Sequence, residues 1–110
     1  MAYVPNRGDI VWLTFTPQSG HEQAGRRPAF VVSPSPYNQK VGLFLVCPIT
    51  SQRKGYPFEV EITTKGGING VVLADQIKSL DWKARKAELV EAVPKDLIDE
   101  VVAKILPLID

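Results

Sequence analysis

The shortness of its apolar segments limits what this chain can fold into. Asp9 to Phe15, Ala29 to Ser33, Leu43 to Val46, Phe58 to Ile62, Gly70 to Ala74 and Ala87 to Val93 each carry apolar residues in alternation or in a brief run. Each is bounded by glycine, proline or charged residues, the pattern of strands separated by turns. Ile10 and Trp12 alternate with Val11, Leu13 and Phe15, as in a strand with both faces partly covered. Short strands at such close spacing imply a small, strongly bent antiparallel sheet or barrel. Only the C-terminus reads as a helix of any length. Leu97, Ile98, Val101, Val102, Ile105 and Leu106 recur at helical spacing. Pro94 suits a first helical position, Asp96 the first turn where the helix dipole favours a carboxylate, and Pro107 the end. The expected class is mainly β, with this helix packed on the sheet.

The connections follow from local chemistry. Arg7-Gly8-Asp9 and Lys65-Gly66-Gly67 read as turns, Tyr37 to Lys40 and Asp81 to Arg85 as single helical turns, and Ile77 to Leu80 as a short segment. Pro48 is expected to end the central strand, leaving Thr50 and Ser51 at its mouth. No repeat or linker divides the 110 residues, so residues 1–110 are expected to form one domain.

Composition mainly excludes. The net charge of +1 means that a nucleic-acid partner would have to bind a local patch. Such patches exist in sequence, at Arg26-Arg27, Arg53-Lys54, Lys78 and Lys83 to Lys86. No apolar run approaches the ~18 residues of a membrane span, and no signal peptide is evident, so a cytoplasmic location without membrane contact is expected. One histidine and one cysteine do not make a zinc site, and the carboxylates form no ligand pattern, so no metal or cofactor is expected. Cys47, among apolar neighbours, reads as a buried thiol.

The stretch Ser19 to Pro28 stands out against this frame. It is roughly twice the two to five residues a hairpin needs. It holds the only histidine (His21), a carboxylate (Glu22) and two guanidinium groups (Arg26, Arg27). There is no Walker-type loop and no Gly-x-Ser-x-Gly elbow. What remains is chemistry that needs only a base, a cation and hydrogen-bond donors. Cleavage of RNA by its own 2′-hydroxyl is of that kind, because the substrate brings the nucleophile. Glu22 or His21 can be the base, Arg27 can hold the phosphorane, and Thr50 and Ser51 can donate to the same phosphate.

Three blocks carry a resemblance. Glu22-Gln23-Ala24-Gly25-Arg26-Arg27-Pro28, Lys54-Gly55-Tyr56-Pro57-Phe58-Glu59-Val60 and Leu73-Ala74-Asp75-Gln76-Ile77-Lys78-Ser79 resemble the signatures of the MazF/PemK (Kid) toxins. With the Gly8-Asp9 start, Pro48-x-Thr50 and the C-terminal helix, the resemblance covers almost the whole chain. It implies an SH3-like barrel, a homodimer and a toxin that inhibits growth as a metal-independent, sequence-specific endoribonuclease. The implied cut in single-stranded RNA leaves a 2′,3′-cyclic phosphate and a 5′-hydroxyl. The implied second partner is an antitoxin whose flexible acidic tail covers the RNA site. Catalysis is then expected from Glu22 (base or base-positioner), Arg27 (phosphate) and Thr50 (donor). RNA contacts are expected from His21, Arg26, Ser51, Arg53, Lys54, Tyr56, Gln76 and Lys78. Two positions depart from the family: Arg26 stands where some members carry histidine, and Leu73 where the Kid-like branch carries arginine. Asp75 is therefore left out of the catalytic set.

Two other readings keep the fold. One is a non-enzymatic toxin that binds a protein such as gyrase, as CcdB-like toxins do. Those act through a C-terminal tryptophan, whereas this chain ends Leu108-Ile109-Asp110. The other is an RNA-binding module without activity, against which the presence of Glu22, Arg27 and Thr50 argues.

Overall fold

In the computed structural model, which describes residues 2–14 and 26–110, seven strands and two helices follow one another along the chain. They are β1 (Asp9–Thr14), β2 (Arg26–Val31), α1 (Ser35–Val41), β3 (Leu43–Thr50), β4 (Glu59–Thr63), β5 (Asn69–Leu73), β6 (Lys78–Asp81), β7 (Glu88–Ala92) and α2 (Lys95–Ile105). The strands lie side by side in the order β4-β5-β3-β2-β1-β7, all antiparallel, with β6 pairing the same edge of β3 as β5 does. The mainly β expectation with a C-terminal helix holds, and the sheet curls into a half-barrel.

The curl comes from β3, which serves two ladders on one edge. Leu43 to Val46 pair with β6, and Ile49 and Thr50 pair with β5. Cys47 and Pro48 fall in the gap between them, while the other edge still pairs with β2. Pro48 therefore does not end the strand, contrary to the sequence expectation. Both backbone groups of Leu45 face the β2 side, the amide to Ser33 Oγ at 2.8 Å and the carbonyl to the Val32 amide at 2.8 Å. By alternation the missing amide hydrogen of Pro48 faces the gap, where no ladder bond is lost.

Alternation along β1 and β2 divides the apolar side chains between two layers. Ile10 and Phe30 face a layer with Cys47, Val60, Ile62 and Val72, onto which α2 packs Val101 and Ile105. Val11, Leu13, Ala29 and Val31 face the other layer, closed by Phe44, Val46 and Trp82. Burial pushes the Cys47 thiol up to about 12, with the nearby charge of Asp75 adding to it, so it stays protonated at neutral pH. Gly8, at φ +92°, carries the turn into β1 so close to Ile98 of α2 that a side chain there would collide with it. Asn38 is fully buried and fully bonded: its amide nitrogen donates to the Pro5 and Ser33 carbonyls, and its side-chain oxygen accepts the Ser33 hydroxyl.

Several boundaries differ from the sequence reading. β2 begins at Arg26 rather than Ala29, because its first residues pair with the end of β1 despite their charge. α1 is seven residues long rather than a single turn, and ends at Gly42 in the left-handed region. Where a short segment Ile77 to Leu80 was expected there is a true strand, β6 (Lys78–Asp81), held by pairing with β3 although its residues are mostly exposed. Asp81 to Arg85 make the single helical turn expected, closed by the Arg85 amide on the Asp81 carbonyl at 3.1 Å, with the Lys83 and Ala84 amides donating to Asp81 Oδ1. Pro94 caps α2 instead of entering it, its carbonyl accepting the Leu97 and Ile98 amides. Pro107 lies within a short 3-10 extension, Leu106–Leu108, and Leu106 is exposed. No helix among the described residues is long and apolar enough to cross a membrane.

Candidate active site

Two strand ends build the site. β2 starts with Arg26 and Arg27, and β3 finishes with Thr50. The β2–β3 ladder ends with Ala29 opposite Pro48, and just beyond it the two strand ends carry Arg27 and Thr50 to the same cleft. Arg26, Arg27, Thr50, Ser51, Gln52 and Asn69 line one cleft of about 510 Å³, floored by Ile49 and Ile68. Among the described residues its lining holds two guanidinium groups, hydroxyls and amides, and no carboxylate. Such a set suits an anion with several oxygens to satisfy. Thr50 Oγ1 accepts the Gln52 amide at 3.2 Å, which leaves its own proton to donate elsewhere.

Thr50 also borders a smaller cleft of about 150 Å³, shared with Lys54, Tyr56, Glu59, Asp75 and Gln76. Tyr56 is 59% exposed, a ring available for stacking. The segment 51–56 contributes residues to both clefts, and two carboxylates fasten it. Glu59 accepts the amides of Lys54 and Gly55 at 3.1 Å, where Gly55 turns the chain at φ +80°. Arg53 binds Glu61 through Nε at 2.8 Å and Asn69 Oδ1 through Nη2 at 2.6 Å, which ties the segment to β4 and β5. β5 comes so near at Gly70 that any side chain there would run into the Thr50 carbonyl.

The structure thus gathers Arg26, Arg27, Thr50 and Ser51 at one cleft and Lys54, Tyr56 and Gln76 at the adjoining one. Arg53, expected at RNA, lines neither cleft and is paired with Glu61. Arg26 lines the first cleft, but its guanidinium group is engaged by β1, β7 and the turn before β7. Lys78 is exposed on β6 across from Val46 and lines neither cleft. His21 and Glu22 lie outside the described residues. Among the described residues no group of three or more His, Cys, Asp or Glu side chains is gathered as a metal site. Sequence reasoning missed Glu59, Glu61 and Gly70 as supports. Their only signal was position: two alternate residues on the wet face of β4, and a glycine opening an apolar strand.

Comparison with known proteins gives a consistent result. The family model described as the PemK-like, MazF-like toxin of type II toxin–antitoxin systems matches residues 6–109. The endoribonuclease toxin MazF of Escherichia coli K12 is 49% identical over 107 residues, covering 97% of this chain and 96% of that protein. The endoribonuclease PemK of Escherichia coli is 35% identical over 103 residues, covering 90% of this chain and 77% of that protein. A MazE–MazF crystal structure (Form-II) from Deinococcus radiodurans is 54% identical and superposes with a TM-score of 0.90, covering 97% of this chain and 96% of that one.

Proposed function

This chain belongs to the PemK-like, MazF-like toxin family of type II toxin–antitoxin systems, and from that membership we propose that it is an RNA-cleaving toxin acting in the cytoplasm as a single catalytic domain. The observation that carries the reading is the cleft that Arg27 and Thr50 line together, with no carboxylate among its described lining. A scissile phosphate fits that chemistry. Attack by the 2′-hydroxyl puts an extra negative charge on the phosphorus oxygens, and the Arg27 fork meets two of them at once. The free proton of Thr50 Oγ1 donates to the same oxygens. Glu22 takes up or positions the 2′-hydroxyl proton. The leaving 5′-oxygen is protonated as it departs, giving a 2′,3′-cyclic phosphate and a 5′-hydroxyl.

Bases on either side of the cut would lie along the adjoining cleft, with Tyr56 as a stacking surface and Lys54 and Gln76 reading edges or phosphates. Ser51 adds a donor at the cut, and His21, Arg53 and Lys78 are proposed as further RNA contacts outside the two clefts' described lining. The Deinococcus relatives are complexes of MazE with MazF. A matching antitoxin with an acidic segment would be held by the same cations that hold RNA phosphates, and so would exclude RNA from the cleft. The chain is further read as a homodimer, a reading supported by exposed apolar side chains such as Val41, Leu89, Leu106 and Ile109. Small-angle scattering at micromolar concentration should return twice the chain mass, and a monomer mass would overturn the dimer.

The test of the activity uses purified protein, a long unstructured RNA and excess EDTA, with fragment ends mapped by sequencing and labelling. Discrete cuts with cyclic-phosphate and 5′-hydroxyl ends are expected. Intact RNA from folded protein free of antitoxin would sink the nuclease reading and favour a toxin that binds a protein target.

A further inference from the structure

The two flanks of segment 15–25 are held from outside their own hairpin. Thr14 ends β1, Arg26 opens β2, and the two are paired in the ladder. Every polar group of Thr14 is engaged. Its amide donates to the Arg85 carbonyl at 3.0 Å, its carbonyl accepts Arg85 Nη1 at 3.3 Å, and its hydroxyl accepts Arg26 Nη1 at 3.0 Å. Arg26 Nη2 meanwhile donates to the carbonyls of Trp12 at 3.1 Å and Lys86 at 2.6 Å and reaches Glu88 Oε1 at 3.3 Å. Lys86 is the one non-glycine described residue with positive φ, at 56°, and its carbonyl receives the shortest of these bonds. Backbone strain at that residue is what a built contact between the turn and Arg26 would look like.

The ladder also separates the two arginines. Arg26 shares a face with Thr14 and Trp12, whereas Arg27 shares the opposite face with Leu13 and Ala29. To bind a phosphate, Arg26 would have to release two backbone carbonyls, a hydroxyl and a carboxylate. Arg27 has no such commitment among the described residues. The charge of Arg26 is therefore arranged to hold protein, and its neighbour's to meet substrate.

We propose that Arg26 is a positioning residue for RNA cleavage, which with Arg85 pins both flanks of segment 15–25 to the turn 82–87 and so fixes Arg27 at its place beside Thr50. The inference rests on the nuclease reading above. It predicts that a residue lining neither cleft, Arg85, matters to the chemical step.

The experiment compares wild type with Arg26→Met, Arg26→Lys, Arg85→Met and the double Met variant, by RNA cleavage kinetics in EDTA and by hydrogen exchange at the Thr14 amide. Arg26→Met and Arg85→Met should each lower kcat by about tenfold or more, with KM within about twofold, since misplacing a reacting group costs rate more than binding. Arg26→Lys should not rescue, because an ammonium cannot span the same acceptors. The double variant should lose less than the product of the single losses, and the Thr14 amide should exchange faster in each. A raised KM with intact kcat in Arg26→Met, rescued by lysine and unaccompanied by any Arg85 effect, would overturn positioning in favour of direct RNA contact. Unchanged Thr14 exchange would overturn the clamp itself. Thr14→Val, which deletes a single acceptor, gives the same readouts if a Met variant fails to fold. Failure of wild type to cut would show in its own lane as loss of the nuclease reading, and the positioning role would fall with it.

Discussion

Arg27→Ala should leave a folded protein that has lost about a hundredfold to a thousandfold of its RNA cleavage rate. The size follows from what the residue is proposed to do, since removing one donor aimed at developing negative charge typically costs that much. The side chain is exposed at the start of β2, so its removal opens no cavity, and the unfolding free energy should move by no more than about 0.5 kcal/mol. Most of the loss should fall on kcat, because the guanidinium group meets the phosphorane more strongly than the ground-state diester. Arg27→Lys should recover little: it restores the charge and not the two-pronged geometry. Toxicity on expression in cells should fall in parallel. A variant that still cuts within about threefold of wild type would place the phosphate elsewhere, against the general scale of such contacts.

Arg27 and Thr50 were legible one at a time. An arginine just before Pro28 and a threonine just after the Pro48 strand can each be picked out as polar groups at strand ends. That they could share one phosphate was read from their chemistry, but local pattern alone does not bring them together, because that depends on the β2–β3 register, set by Phe30 against Cys47 and Val31 against Val46 in the two buried layers. β4 was readable because only one face is covered: Val60 and Ile62 are buried while Glu61 and Thr63 are exposed. The first residues of β2 were not, because backbone pairing with Leu13 and Thr14 does not require apolar side chains and two adjacent arginines read as loop. β6 escaped for the same reason, its strand character coming from the partner Leu43 to Val46 rather than from its own pattern. The anchoring roles of Glu59 and Glu61 were hidden more deeply. Their targets are the Lys54 and Gly55 amides and the Arg53 guanidinium group, which reach them only once the preceding segment folds back. Sequence pattern reports burial well, and it reports polar contacts between segments poorly.

The same closeness of strands leads to the second large effect, at Gly70. A methyl group there would strike the Thr50 carbonyl oxygen and stand 2.8 Å from its carbonyl carbon, atoms of the backbone that cannot swing aside as a side chain would. Gly70 also pairs with Ile62 on its other side, so β5 has no free direction in which to retreat. In Gly70→Ala the strain must be relieved where β3 ends, which is where Thr50 faces the cleft. We expect a destabilisation of about 1–3 kcal/mol from overpacking. A displacement of Thr50 on the order of 1 Å should cost kcat roughly a hundredfold. Gly42→Ala separates the two causes. Gly42 has no atom within 4 Å of a would-be side chain and closes α1 at φ +81°, so alanine there should cost on the order of 1 kcal/mol by backbone strain alone. If cleavage follows the position of Thr50, Gly42→Ala cuts RNA like wild type at 25 °C while Gly70→Ala does not, with both measured well below their melting transitions. Equal activity in the two variants would mean that the end of β3 tolerates the shift, and that Thr50 holds the fold rather than the phosphate.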